Sequence, residues 1–332
     1  MSISSLTRLD LPIRLRRNRQ SVAIRSMVQE TRLHPSNFIA PFFLIEGENQ
    51  KEPIAPMPGI HRLSIDLVIK EAKILHAEGV QAICLFPCID ASLRTFGAEE
   101  AWNQEGLLAR AIREIKQAIP SLCIIADVAL DPFTSHAHDG LVNDQGEVLN
   151  DETVECLIRM ALMQAEAGLD FVAPSDMMDG RIGAIRKALD EVGHEKVGII
   201  SYSAKYASAL YWPFRDALQT RPAFGDKKTY QMDPANIREA LLETAQDEEE
   251  GADILMIKPA SLYLDVISQL RQRTNRPIAA YHVSGEYAMV MAAHQKGWLD
   301  ASKVFYETFL SIKRAGANLI FSYAIHHVLP MM

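Results

Sequence analysis

Apolar and polar positions along the chain repeat one local pattern four times: a helix end, a glycine, a short polar step, then an apolar run. The copies are Ala77-Glu-Gly79-Val-Gln-Ala-Ile-Cys-Leu-Phe, Glu166-Ala-Gly168-Leu-Asp-Phe-Val-Ala-Pro, Glu249-Glu-Gly251-Ala-Asp-Ile-Leu-Met-Ile and Arg314-Ala-Gly316-Ala-Asn-Leu-Ile-Phe-Ser. Glycine just past a helix adopts the left-handed conformation that ends it, and the chain then turns into a strand. Four more strand-like runs lie between the copies, at 38–44, 122–127, 197–202 and 277–282. Helical periodicity fills the gaps over 64–78, 105–118, 151–167, 180–192, 235–250, 261–273, 286–296 and 300–315, with Ser64 expected as the first N-cap. The strand runs are continuously apolar, as expected where both faces are covered. Strand and helix alternating eight times predict a parallel (β/α)8 TIM barrel. A doubly wound open sheet is the alternative, but no G-x-G-x-x-G follows the first strand. Residues 1–35 are expected to form an extended arm for subunit contacts, outside a catalytic barrel of residues 36–332.

Composition narrows the class. The 332 residues are 48% hydrophobic, which fits a soluble globular enzyme with a sizeable core. No apolar stretch approaches the roughly 18 to 20 residues a membrane span requires. The start, Met1-Ser-Ile-Ser-Ser-Leu-Thr-Arg, has no h-region of a secretory signal, so a cytoplasmic protein is expected. A formal charge of −8 speaks against a general nucleic-acid surface. The basic cluster Arg14, Arg16, Arg17 and Arg19 suits an arm docking on another subunit better than a nucleic-acid tail or transit peptide. Cys84, Cys88, Cys123 and Cys156 lie in apolar segments and read as reduced core thiols.

In such a barrel the active site lies at the C-terminal strand ends. Two of those ends are lysines, Lys205 after Val197-Gly-Ile-Ile-Ser-Tyr-Ser-Ala and Lys258 after Ile254-Leu-Met-Ile. A desolvated amine beside a second ammonium loses its proton more easily, and a neutral amine forms a Schiff base with a ketone or aldehyde. On neighbouring strands the two would sit roughly 5 Å apart. Together they suggest a site for two carbonyl substrates. The alternative is a structural lysine paired with Asp127 or Asp176. The other strand ends supply Asp127 and Asp131, Ser175 and Asp176, His282 and Ser284, and Ser322 and Tyr323. The connection after Lys205, about 206–232, is long, aromatic and cationic, which suggests an active-site lid. Within it Arg215 and Lys227 suit a substrate carboxylate, with solvated surface charge as the alternative. The segment from Asp127 to Asp139 is rich in carboxylates that favour a hard cation such as Mg²⁺, and no thiolate is placed there for zinc. His136 and His138 suit a metal or ordinary hydrogen bonding, and the C-x₃-C of Cys84 and Cys88 lacks a second ligand pair.

These residues resemble one family, porphobilinogen synthase or 5-aminolevulinate dehydratase. The resemblance rests on Ser201-Tyr-Ser-Ala-Lys205, Met256-Ile-Lys258-Pro259, Pro174-Ser175-Asp-Met-Met-Asp-Gly180-Arg181, Tyr281-His-Val-Ser284-Gly-Glu, Gly225-Asp-Lys227 and Asp127-x-Ala-Leu-Asp131, in order along most of the chain. It implies condensation of two 5-aminolevulinate molecules to porphobilinogen, a lyase step of tetrapyrrole and haem biosynthesis. Lys258 would hold the first substrate and Lys205 the second. Arg215, Lys227 and Gln231 would contact the carboxylate on the acetate side, and Ser284 and Tyr323 that on the propionate side. Asp127 and Ser175 would meet the amino group and the reacting centre. Zinc-dependent relatives carry three cysteines where this chain has Ala129, Asp131 and Asp139, so the resemblance is to the aspartate-rich, magnesium-type subclass, with zinc not expected. Asp131 and Asp139 are candidates for an active-site ion. Glu243, 15 residues before Lys258, matches the position of an allosteric Mg²⁺ ligand. A homo-octamer is implied, with a hexamer known in some members. Two competing functions are a class I aldolase, which also uses a strand-six lysine, and a barrel scaffold without activity. The ends after strands seven and eight lack the glycine-rich phosphate cradle of the aldolases, and retention of both lysines argues against the scaffold.

Overall fold

The structure, a computed structural model, describes residues 11–332. It divides into two units, one up to Arg32 and one spanning Leu33–Met332. In the first, Leu15–Arg19 forms a 3-10 turn and Val22–Met27 a helix whose N-cap, Ser21, accepts from the Ile24 N–H at 3.2 Å. The first ten residues of the expected arm lie outside the described residues.

The second unit is built on one sheet. Its strands are β1 (Phe38–Leu44), β2 (Lys51–Pro53), β3 (His61–Leu63), β4 (Ala82–Pro87), β5 (Cys123–Val128), β6 (Phe171–Pro174), β7 (Gly198–Lys205), β8 (Ile254–Lys258), β9 (Ile278–His282) and β10 (Leu319–Ser322). β1 and β4 to β10 run parallel in chain order, and β10 closes on β1 through Phe38–Ile320 and Ile39–Phe321. Helices separate these strands, giving the expected (β/α)8 barrel. The eight expected helices are present, from Ile65–Ala77 to Ala301–Ala315. β2 and β3 add an antiparallel hairpin beyond the eight expected strands; β3 extends the end of β1 through Phe43–Arg62 and Leu44–Leu63.

The fourfold pattern has a physical basis. Gly79, Gly168, Gly251 and Gly316 all have positive φ, between 95° and 128°, a conformation open to glycine without steric cost. The polar step has its own task in three copies. Asp170, Asp253 and Asn318 accept from the backbone N–H of Ile124, Ile199 and Ile278 at 2.7, 2.8 and 2.9 Å. Each thereby satisfies a donor near the start of the preceding strand, where no rung reaches it. Gln81, in the first copy, instead donates to the Gly79 carbonyl. Ser64 departs from its expected role. It precedes helix Ile65–Ala77, but its hydroxyl donates to Asp66 and accepts from the Gln50 N–H rather than capping the helix.

One irregularity matters for the site. β7 and β8 pair Ser201 with Leu255, then Ala204 with Ile257, so β7 carries one residue more than β8 between these rungs. Side chains alternate along a strand, so an extra residue reverses which face the following ones occupy.

Candidate active site

Beyond that bulge, Lys205 lies directly opposite Lys258 at the C-terminal ends of β7 and β8. Both side chains line one narrow cleft, which Asp127, Asp131, Asp139, Ser175, Arg215, Lys227 and Gln231 also line. The segment over 206–232 supplies the last three, together with Tyr211 and Phe214.

The two lysines differ in surroundings. The Lys258 ammonium faces four rings, Tyr281, Tyr202, Phe214 and Tyr211, at 4.5, 4.9, 5.1 and 5.3 Å from their centroids. Ring faces favour a cation, but removal from water and the neighbouring Lys205 charge outweigh them and bring its pKa down to about 7. Asp127, Asp131 and Asp139 oppose that shift. Its backbone is pinned as well, the carbonyl accepting from the Tyr206 N–H and the Tyr211 hydroxyl, each at 3.0 Å. Lys205 is instead held by polar groups. It donates to the Ser175 carbonyl and lies 3.4 Å from Asp139. Neither lysine is paired with Asp176, which goes to the buried Arg181 at 3.6 Å; Arg181 also pairs with Asp247 at 3.3 Å.

Carboxylates divide the cleft. Burial pushes Asp127 up to about 7, with the two lysines pulling the other way, and its Oδ1 is buried without a hydrogen-bond partner. Burial also acts against ionisation of Asp139, but Lys205 and Lys227 outweigh it and hold that carboxyl well below the usual range. Burial raises Asp131 against the pull of Lys227. Lys227 sits between these two, 2.7 Å from Asp139 and 3.3 Å from Asp131, and stays charged because they offset its loss of water. Gln231 reaches Asp139 at 3.5 Å, and its own carbonyl oxygen is buried and unpartnered.

That arrangement bears on the expected ion. The Lys227 ammonium already occupies the space between Asp131 and Asp139, and among the described residues no three His, Cys, Asp or Glu groups gather as a metal-binding set. The two aspartates as placed do not fit a resident cation. His138 bonds the Tyr230 hydroxyl (3.1 Å) and the Phe224 carbonyl (3.0 Å), and burial takes His136 down to about 4. Glu243 lies outside the cleft on helix Arg238–Glu249, where burial and then Asp247 raise its pKa.

Ser284 and Tyr323 do not line the cleft but stand behind its aromatic wall. The Ser284 hydroxyl accepts from the Phe214 N–H at 3.0 Å, and Tyr323 shares a 3.0 Å hydrogen bond with Tyr281. The four rings around Lys258 were missed from the sequence, since they come from β7, β9 and the segment after Lys205. Their one sequence signal is an aromatic residue near the C-terminal end of a buried strand, at Tyr202 and Tyr281.

A family model described as Delta-aminolevulinic acid dehydratase matches residues 12–331. A protein of that name from Chlamydia pneumoniae is 53% identical over 330 residues, covering 99% of this chain and 98% of its own length. One from Bradyrhizobium diazoefficiens is 52% identical over 316 residues, covering 95% of this chain and 89% of its own. The crystal structure of the Toxoplasma gondii delta-aminolevulinic acid dehydratase (porphobilinogen synthase), in complex with the reaction product porphobilinogen, superposes with a TM-score of 0.95 at 47% identity, over 98% of this chain and 92% of that one. This chain belongs to the delta-aminolevulinic acid dehydratase family of hydro-lyases.

Proposed function

We propose that this protein condenses two 5-aminolevulinate molecules into porphobilinogen with loss of two waters, through imines on Lys258 and Lys205. The observation that carries this reading is the opposed lysine pair, one member of which is half neutral near pH 7. The neutral Lys258 amine attacks the ketone of the first substrate, and the resulting carbinolamine expels water to give the imine. Lys205 takes the second ketone across the same cleft. Holding both carbonyls in one orientation suppresses the wrong pairing. Asp127, with a pKa of about 7, can accept and return a proton at neutral pH, as enamine formation and dehydration require.

Arg215 is the cation assigned to the acetate-side carboxylate. Its guanidinium makes no hydrogen bond or ion pair among the described residues, so it meets an anion without first giving up a partner. Lys227 joins it only by loosening its bonds to Asp131 and Asp139. Residues 206–232 act in this reading as a lid, closing the cleft when the substrates are bound. No step is routed through a metal ion. The resemblance supports Mg²⁺ at Glu243, a half-buried carboxylate without an ion pair among the described residues, and a homo-octamer whose arms are residues 1–35. Borohydride added with 5-aminolevulinate tests the chemistry: a reduced adduct on the Lys258 peptide is expected, and its absence would sink the proposal.

A further inference from the structure

The Glu286 carboxylate is buried, 3% exposed, in the first turn of helix Ser284–Gln295. It makes no ion pair among the described residues; its charge is met by two backbone donors. Oε2 accepts from the Val283 N–H and Oε1 from the Ser261 N–H, each at 2.6 Å. The first bond is an N-terminal cap, which a glutamine makes as well. The second has no place in capping, because Ser261 follows Lys258-Pro259-Ala260 at the end of β8.

We infer that Glu286 is a positioning residue that clamps the Lys258 strand end to the helix N-terminus after β9. The inference rests on the reading of Lys258 as the imine-forming amine. The same helix start also seats the segment above the cleft. Ser284 accepts from the Phe214 N–H, and Gly285 packs so closely on Leu210 that a Cβ there would lie 2.5 Å from the Leu210 carbonyl oxygen. One carboxylate thus joins the backbone that carries Lys258 to the surface on which Tyr211 and Phe214 are laid over its amine. The chemistry explains why an acid stands there. Two N–H groups converge on one side chain, and a carboxylate offers an oxygen to each, whereas an amide offers one oxygen and turns an NH₂ toward the other donor.

Glu286→Gln is the discriminating variant, since it keeps size, shape and the cap but loses one arm of the clamp. Wild type and variant are mixed with 5-aminolevulinate and borohydride across pH 6 to 9, the Lys258 adduct is quantified by peptide mass, and steady-state kinetics and thermal unfolding are recorded alongside. Displacement of a reacting atom by about 1 Å costs up to roughly 100-fold. Expected is a 10- to 100-fold slower trapping at Lys258 with a matching fall in kcat and KM within about threefold, in a protein that still unfolds cooperatively. A variant that melts lower but traps at the wild-type rate, with an unchanged pH midpoint, would show that Glu286 only caps its helix and would overturn the clamp. Should the amide variant not fold, Glu286→Asp, which keeps the charge but is too short to reach both donors, is judged by the same criterion. Failure of the wild type itself to trap at Lys258 removes the proposed function and the clamp with it. A trapping wild type with an unaffected variant removes the clamp alone.

Discussion

Lys205→Met isolates the part of Lys258's acidity that comes from its neighbour. Burial is the larger cause of the lowered value and the Lys205 charge the next, so the variant leaves the first and deletes the second. At a pKa of about 7 half of the Lys258 side chains are neutral at pH 7, against about one in three thousand for an ordinary lysine. Two charges roughly 5 Å apart at an effective dielectric of about 20 repel by about 3 kcal/mol, or roughly 200-fold in the acid constant. That is an upper bound, because Asp139 at 3.4 Å already neutralises part of the Lys205 field. Asp127 also loses a stabilising cation in the variant and ionises less readily, and because its charge favours the Lys258 ammonium this offsets part of the rise. The direction is fixed by charge: removing a neighbouring cation favours the protonated amine, so the midpoint rises from about 7 toward the ordinary lysine value without reaching it. Competitive acylation of the substrate-free protein, read at the Lys258 peptide as a function of pH, measures this midpoint without requiring turnover. Reactivity at pH 7 is expected to fall by several-fold to about 100-fold and to recover near pH 9. An unmoved or lowered midpoint in Lys205→Met would refute the electrostatic coupling and leave burial as the sole cause.

Other substitutions test other parts of the site. Arg215→Met is expected to lower kcat/KM for 5-aminolevulinate by about 10- to 150-fold, the range of a charge-assisted hydrogen bond, with Arg215→Lys a poor rescue because it loses the bidentate fork. Equal kinetics for the methionine variant and wild type would remove Arg215 from substrate binding. Gly285→Ala sets a methyl 2.5 Å from the Leu210 carbonyl oxygen and should displace the segment above the cleft by roughly 1 Å, raising KM and opening 206–232 to proteolysis. An unchanged digestion pattern and KM would refute that seating. Glu243→Ala is expected to abolish stimulation by Mg²⁺ while leaving basal turnover within about threefold, since Glu243 lies outside the cleft; equal Mg²⁺ responses would exclude the site.

Much of this fold was legible because its signals are local. Four glycines after helix ends marked four strands, and continuous apolar runs marked the rest. Both lysines stood out because an ammonium at the end of a buried strand is anomalous wherever the strand lies. What escaped the sequence depends on pairings between distant segments. The hairpin Lys51–Pro53 and His61–Leu63 has three-residue strands, too short to show a period. Lys227 in its loop suits a substrate carboxylate, and nothing in its neighbourhood signals that Asp131 and Asp139, some ninety positions away, would hold it. Glu286 lies within a matched motif, yet its tie to Ser261 crosses from one strand end to another.

The bulge in β7 separates the barrel's architecture from its capacity to join two molecules. Were the same residues paired in an unbroken ladder, continuing the Ser201–Leu255 register would set Ala204 opposite Lys258, and Lys205 would fall one position further on, on the other face of the strand. Such an arrangement would keep its hydrogen-bonded wall and one reactive amine. It would be a one-carbonyl catalyst, suited to adding or cleaving a single ketone. In this chain, coupling two carbonyls rather than handling one depends on the register of one strand against its neighbour rather than on a further loop or domain.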